Sequence, residues 1–172
     1  MNHNKLFVYH LHQDDPKKCT ASKLLRFNLI KPIQRRHIIN TWIVLNPFSD
    51  DIISKADQQR ISNGLVVIDC SWKKGTSIFS KSFRGRNKRL PILQAGNPTN
   101  YGKLFTLSSA EALAACLFII GFRDDAELIL SKFKWGHTFF DLNYDILEQY
   151  SSANNSEEIS IIERKYYSKF FP

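Results

Sequence analysis

Residues 90–121 read LPILQAGNPTNYGKLFTLSSAEALAACLFIIG, and this stretch decides the fold. A short apolar run from Leu90 enters an irregular turn, Ala95-Gly96-Asn97-Pro98-Thr99-Asn100-Tyr101-Gly102-Lys103, which runs into one long apolar helix. Gly, Pro and Asn punctuate such turns because they supply unusual backbone angles and withhold or redirect hydrogen bonds. Ser108 or Ser109 starts the helix, with Glu111 placed for a capping box, and Gly121 stops it. Just upstream, Leu65 to Asp69 is a near-continuous apolar run that ends in Asp69-Cys70-Ser71-Trp72. A strand covered on both faces reads this way.

Working outward, the first half reads as strands and turns. Lys5 to His10 is a short strand, broken by Asp14-Asp15-Pro16. Thr41 to Leu45 is a second, ended by Asn46-Pro47. Ser49-Asp50-Asp51 predicts a cap for a helix from about Asp51 to Ile61, and Asn63-Gly64 turns the chain into the strand at Leu65. Arg89 to Gln94 adds a further strand. Beyond Asn100 the pattern is helical: Arg123 to Phe133, Thr138 to Tyr150 with Phe139, Leu142 and Ile146 at core spacing, and Glu157 to Phe170. Ser151 to Ser156 is a short polar linker, and no internal repeat is visible. The expected architecture is an α/β N-terminal lobe over residues 1–95 followed by an all-α C-terminal lobe over residues 96–172.

The chain has 172 residues, of which 43% are hydrophobic, enough for a substantial core and too many for a disordered chain. Cys19, Cys70 and Cys116 are scattered and odd in number, which argues against a disulfide framework. The polar N-terminus reaches a strand quickly, and the apolar run near Ala112 to Gly121 is too short to span a bilayer. The expectation is a cytoplasmic protein without membrane association. The net charge of +8 fits either a polyanionic partner such as nucleic acid or a merely basic protein. The charge is uneven. Lys81, Arg84, Arg86, Lys88 and Arg89 crowd one segment, Lys73-Lys74 precedes it without an intervening acid, and Arg35-Arg36-His37 forms another cluster. A solvated loop is the bland alternative. The density favours sequence-independent contact with RNA phosphates, and Lys17 and Lys18 extend the set.

No P-loop, GxGxxG, GxSxG or HExxH occurs. His10 and His12 share one side of a strand and His137 is isolated, so the chain offers no zinc ligand set and no metal is expected. The candidate site therefore comes from strand ends and the turn, where sheet folds bind ligands. Leu45, Pro47 and Trp72 are placed to sandwich a flat base, as an adenosine-type ligand requires. The alternative is ordinary core, stronger for Leu45 than for Trp72 beside Asp69. Asp69 reads as a cap, a proton acceptor, or a holder of a cationic ligand.

The motifs Asp15-Pro16-Lys17-Lys18-Cys19-Thr20, Asp69-Cys70-Ser71-Trp72, Leu90-Pro91, Asn97-Pro98-Thr99-Asn100-Tyr101-Gly102, Leu107-Ser108, Glu111-Ala112-Leu113-Ala114-Ala115 and Phe133-Lys134-Trp135-Gly136-His137 recur in order over roughly residues 5 to 150. This set resembles the small-subunit ribosomal RNA aminocarboxypropyltransferases, in a minimal archaeal form without a long acidic tail. The resemblance implies a SPOUT-like, knotted fold. It also implies transfer of the 3-amino-3-carboxypropyl group of S-adenosylmethionine, as co-substrate, to a ring nitrogen of a uridine-derived base, often a methylated pseudouridine. The RNA would be that of the small ribosomal subunit late in maturation, and the by-product 5′-methylthioadenosine.

Carried onto this sequence, the resemblance makes Asp69 a general base or an electrostatic holder. Thr20 and Ser109 would hold the amino-acid end, and Trp72 would stack or donate its indole N–H. Main chain at Ile68 and Leu93 would meet the ribose, and Leu107, Ala112 and Ala115 would close the adenine pocket. The sequence departs at Ala95-Gly96, where two alanines are expected, and at Ser109, where Thr or Cys is as familiar. A SPOUT-type RNA methyltransferase and a non-enzymatic RNA-binding assembly factor are the alternatives. A helical lobe beside the pocket implies a monomer.

Overall fold

β4 (Leu65–Asp69) is buried along its whole length because it lies at the centre of the sheet. The structure is a computed structural model that describes residues 5–13, 15, 18–72, 78–79 and 83–171. β1 (Leu6–His10), β2 (Lys31–Pro32), β3 (Ile43–Leu45) and β5 (Arg86–Lys88) flank β4 in the order β2-β1-β4-β3-β5, and every pairing is parallel. Parallel register brings the carboxyl ends to one edge. His10 stands beside Asp69, and Leu45 lies between Val67 and Lys88.

Alternation splits the strands between two cores. Leu6, Val8, Ile43, Leu45, Leu65 and Val67 face one side, where α3 (Ser109–Ile119) packs. Val44, Val66 and Ile68 face the other with Ile38, Phe79 and Phe83. Every residue of α3 from Leu113 to Ile119 is buried, which explains an apolar run without a polar stripe. α1 (Thr20–Arg26), α4 (Arg123–Leu130), α5 (Gly136–Ser152) and α6 (Ser156–Tyr166) surround it, and the first core runs continuously from Leu6 to Tyr167 through both halves of the chain. With the one-turn α2 (Gln58–Ile61), six α-helices lie among the described residues, none of them long and apolar enough to cross a membrane.

Two expectations need correction, and two elements were not expected. The helix expected from Asp51 to Ile61 begins only at Lys55. Ile52 bridges Arg89 in extended conformation and Ile53 is buried, while Ser54, not Ser49, caps a 3-10 turn at Lys55–Asp57 that leads into α2. The fifth strand lies at Arg86–Lys88, not at Arg89 to Gln94, because the later segment takes its partners from helix side chains. α1 and β2 carry little sequence signal: α1 has seven residues, no acid in its first turn and a cysteine thiol as its cap.

Candidate functional site

A cavity of about 830 Å³ opens beyond the carboxyl ends of β3 and β4. Leu45, Asn46 and Pro47 leave β3 into its wall, and Ile68, Asp69 and Trp72 leave β4 into it. Leu93 and Asn97 line it from the segment after β5, Thr20 from the start of α1, and Leu107, Ser109 and Ala112 from the start of α3. Five separate stretches of sequence thus meet at the sheet edge, where open α/β sheets bind their ligands. Ala115 departs from expectation. One turn past Ala112, it is fully buried in the core and does not line the cavity.

Asp69 is 7% exposed and its carboxylate is crowded with partners. Oδ1 accepts the Ser109 hydroxyl at 2.5 Å, and Oδ2 lies 3.0 Å from His10 Nε2 and 3.3 Å from the Cys19 thiol. Nε2 faces the carboxylate as a donor, and the buried Nδ1 has no partner among the described residues. Burial pushes the Cys19 thiol above its ordinary range, so it stays protonated and donates. Three donors on three elements therefore surround one carboxylate. His10, Cys19 and Asp69 also present N, S and O donors within 4.8 Å of one another, the chemistry of a borderline-soft divalent ion, although the present contacts already satisfy those atoms mutually.

The far wall is built by Glu111, which is fully buried. Its Oε1 accepts Gly96 N at 2.7 Å and Asn97 N at 2.8 Å, and its Oε2 accepts Asn97 Nδ2, Ser108 N and Ser108 Oγ, each at 2.7 Å. Asn97 Oδ1 in turn accepts Thr99 N and Asn100 N. The capping box read from Ser108 and Glu111 is present, and the same glutamate ties the turn to it. A Cβ on Gly96 would lie 2.5 Å from Phe139 N, so in this chain the second alanine expected from the resemblance does not fit against α5. Thr20 Oγ1 accepts Ala110 N at 3.2 Å, joining α1 to α3. Trp72 donates its indole N–H to Leu107 O at 3.3 Å and stays 41% exposed, which leaves its ring available.

The basic residues divide. Lys18, Arg36, Arg84 and Arg86 are exposed, and Lys18 lines the cavity. Arg35 stacks on Phe83 at 4.7 Å. Lys17, Lys73, Lys74 and Lys81 lie outside the described residues. Lys88 and Arg89, expected to face RNA, are instead paired with acids of the protein. Lys88 is 8% exposed, with Nζ 3.3 Å from Asp57 and 3.5 Å from Asp51, and Arg89 forms two hydrogen bonds of 2.9 and 2.8 Å to buried Glu163. Lys88 is thus neutralised inside the protein, and Arg89 is paired while its partly exposed side chain lines the cavity. His10, Cys19, Phe105 and Phe170 were not anticipated at the site. The pairing of His10 with Asp69 follows once β1 and β4 are aligned in parallel, whereas Phe105 and Phe170 carry no local signal.

Residues 43–167 match a family described as "Ribosome biogenesis protein, C-terminal". Proteins named 16S rRNA aminocarboxypropyltransferase from Thermoplasma volcanium and Methanothermobacter thermautotrophicus are 46% and 44% identical, each over 94% of this chain and 98% of its own length. The one from Methanosarcina mazei is 42% identical over 94% of both chains. This chain belongs to the 16S rRNA aminocarboxypropyltransferase family. The fold agrees with the S-adenosylmethionine-dependent rRNA aminocarboxypropyltransferase Tsr3 from Vulcanisaeta distributa. The TM-score is 0.85 and the identity 38%, over 92% of this chain and 88% of that one. A second match, residues 5–36, is to a possible Fer4-like domain in RNase L inhibitor. That stretch of this aminocarboxypropyltransferase-family chain holds Cys19 as its one cysteine, so it lacks the thiolates of an iron–sulfur cluster.

Proposed function

We propose that this chain transfers the 3-amino-3-carboxypropyl group of S-adenosylmethionine to a ring nitrogen of a uridine-derived base, such as a methylated pseudouridine, in small-subunit rRNA. The by-product is 5′-methylthioadenosine, and the step belongs to late small-subunit maturation. The observation that carries this reading is the cavity at the sheet edge, with a buried carboxylate at one end and apolar walls, in a chain more than 40% identical to named aminocarboxypropyltransferases. A carboxylate beside apolar walls suits a ligand with a positive sulfonium and an adenine ring.

S-adenosylmethionine offers three electrophilic carbons on one sulfur, so placement decides which group leaves. A C–N bond forms at the propyl methylene, the C–S bond breaks, its electron pair stays on sulfur, and the imide proton leaves the acceptor base. The three donors on Asp69 support a fixed negative charge facing the sulfonium or the substrate ammonium, in preference to an open proton acceptor. Thr20 and Ser109 flank it for the amino-acid end, Leu45, Pro47, Leu107 and Ala112 supply apolar surface for adenine, and Trp72 offers a ring face. Main chain at Ile68 and Leu93 reaches the same cavity for the ribose. The reading extends to a SPOUT-like knotted fold, with residues 1–95 and 96–172 as two lobes sharing this pocket, and to a cytoplasmic monomer.

The test is mass spectrometry of the products formed from the protein, S-adenosylmethionine and under-modified small-subunit RNA. Methylthioadenosine together with RNA heavier by one aminocarboxypropyl group is the expected result. S-adenosylhomocysteine would make the protein a methyltransferase, and RNA binding without any small-molecule product would leave the assembly-factor reading.

A further inference from the structure

Among the aromatic side chains lining the cavity, Phe48, Phe105 and Phe170 stand out by exposure, at 57%, 55% and 48%. Phe105 is also one of three non-glycine residues with positive φ among the described residues, at 63°. A bulky side chain pays for that conformation, and persistence of such strain directs attention to what the side chain meets. Burial does not explain Phe105, since half of it is exposed. Its backbone is held by its neighbours: Leu104 bridges Gln94, and Asn100 Nδ2 donates to Thr106 O. The ring is thereby set edge-on to Phe170, with centroids 6.3 Å apart and planes at 88°.

Phe170 sits in the 3-10 turn Ser168–Phe170 that follows α6, so the end of the chain returns to the cavity mouth. Cations accompany these rings. Lys169 Nζ is 5.2 Å from the centre of the Phe170 ring, and Arg164 lies 5.6 Å from that of Phe171, which also lines the cavity. Lys169 lies over one face of Phe170, and half-exposed rings interleaved with cations are what unstacked nucleotides require: the base lies on a ring and the phosphate meets a cation. The cavity is also near the upper end of the roughly 300–1,000 Å³ usual for ligand pockets, which leaves room for a second flat ring.

We propose that Phe105 and Phe170 form a stacking site for the acceptor base, an unpaired pyrimidine nucleotide of the RNA, with Lys169 and Arg164 facing its phosphates. This rests on the transfer reading above and adds the acceptor subsite to it. The two perpendicular rings receive the base by its face on one and its edge against the other. RNA contact then comes from the end of the chain as well as from the arginines of the β5 region.

The experiment compares the full-length protein with Phe105→Leu, Phe170→Leu and Phe105→Gly. RNA affinity is read by fluorescence anisotropy on a labelled RNA hairpin with uridines in its loop, and S-adenosylmethionine affinity by calorimetry without RNA. Leucine keeps apolar bulk and removes the ring face. Each leucine variant is expected to bind RNA about 5- to 150-fold more weakly, the range for losing one base–aromatic stack, with S-adenosylmethionine affinity unchanged. Phe105→Gly should weaken RNA binding equally while raising the melting temperature, since glycine accepts a positive φ. Unchanged RNA affinity in both leucine variants, or a parallel loss of S-adenosylmethionine affinity, overturns the proposal. If the wild type makes methylthioadenosine and the variants behave like it, the stacking site fails alone. If RNA binding depends on the rings but no methylthioadenosine forms, the transfer reading fails and the stacking site stands.

Discussion

Glu111→Gln tests the wall of the pocket with the smallest available change. The substitution preserves shape and exchanges one carboxylate oxygen for an NH₂ group. Five donors converge on the two oxygens of a fully buried side chain. With the amide nitrogen toward Gly96 and Asn97, two backbone N–H groups that cannot turn away face another donor. With it toward Ser108, the hydroxyl rotates to accept, but Asn97 Nδ2 and Ser108 N are stranded. Either orientation leaves at least two buried donors unsatisfied, at about 1–3 kcal/mol each, so the loss is about 2–6 kcal/mol of the ~5–15 kcal/mol that hold a domain. The neutral amide escapes the cost of burying a charge, a smaller effect because those five donors already stand in for water. Urea unfolding followed by circular dichroism measures the loss as a lower midpoint at unchanged slope. S-adenosylmethionine affinity should fall with it, since the turn at 95–103 forms the cavity wall. A change below about 0.5 kcal/mol, the level of ordinary surface substitutions, would refute the claim that this carboxylate fastens the turn.

Two further outcomes follow from the charges and the buried thiols and phenols. Lys88→Ala should cost about 1–3 kcal/mol, because Asp57 loses one buried partner but keeps Arg60 Nη1 at 3.4 Å and Ser54 N at 3.1 Å, and should leave the salt dependence of RNA binding unchanged, whereas Arg84→Ala with Arg86→Ala should spare stability and lower the salt slope by about two. A salt slope that falls with Lys88→Ala and not with the arginines would reverse that assignment. Burial raises Cys19, Cys116 and Tyr150 above their ordinary values and pushes Tyr167 up to about 12. The unfolded chain then releases these protons before the folded one, so the stability present below about pH 9 is lost as the pH climbs toward 12, by at most about 1.4 kcal/mol per pH unit for each group. A melting temperature that stays flat from pH 8.5 to 11 in a scan would contradict this burial pattern.

Much of the fold was legible because the central elements carry unambiguous patterns. The run Leu65–Asp69 announced a doubly covered strand, and Ser108 with Glu111 announced the start of α3. Nearly all of the expected cofactor residues line one cavity, because strand ends and helix starts are the places where punctuation is clearest. What failed to show was tertiary. Asp50 and Asp51 look like a helix start, but Ile52 and Ile53 gain more by extending into the core and the bridge to Arg89. Lys88 and Arg89 look like part of a phosphate-binding run, but their acids, Asp57 and Glu163, lie 31 and 74 residues away, and only the fold brings them together.

The stretch from Arg89 to Asn97 shows why its reading as a strand was nearly right and still wrong. At every second residue from Ile92 to Gly96 its donors are satisfied, as on a strand, but by side chains from the helical half, while Arg89 N and Ala95 N donate to the backbone oxygens of Asp51 at 2.7 Å and Lys103 at 2.9 Å. Glu163 accepts Ile92 N at 2.7 Å, Asn143 accepts Gln94 N at 2.8 Å, and Glu111 accepts Gly96 N at 2.7 Å. Pro91 has no N–H to satisfy, and the carbonyls of Ile92 and Gln94 are met by Tyr150 and Asn143. Buried Glu163, Asn143 and Glu111 thus hold Ile92, Gln94 and Gly96 from the helical side, while residues 90–93 line the cavity. Three polar residues buried in helices, costly anywhere else in a core, are thus explained by the one wall of the pocket that no regular element supplies.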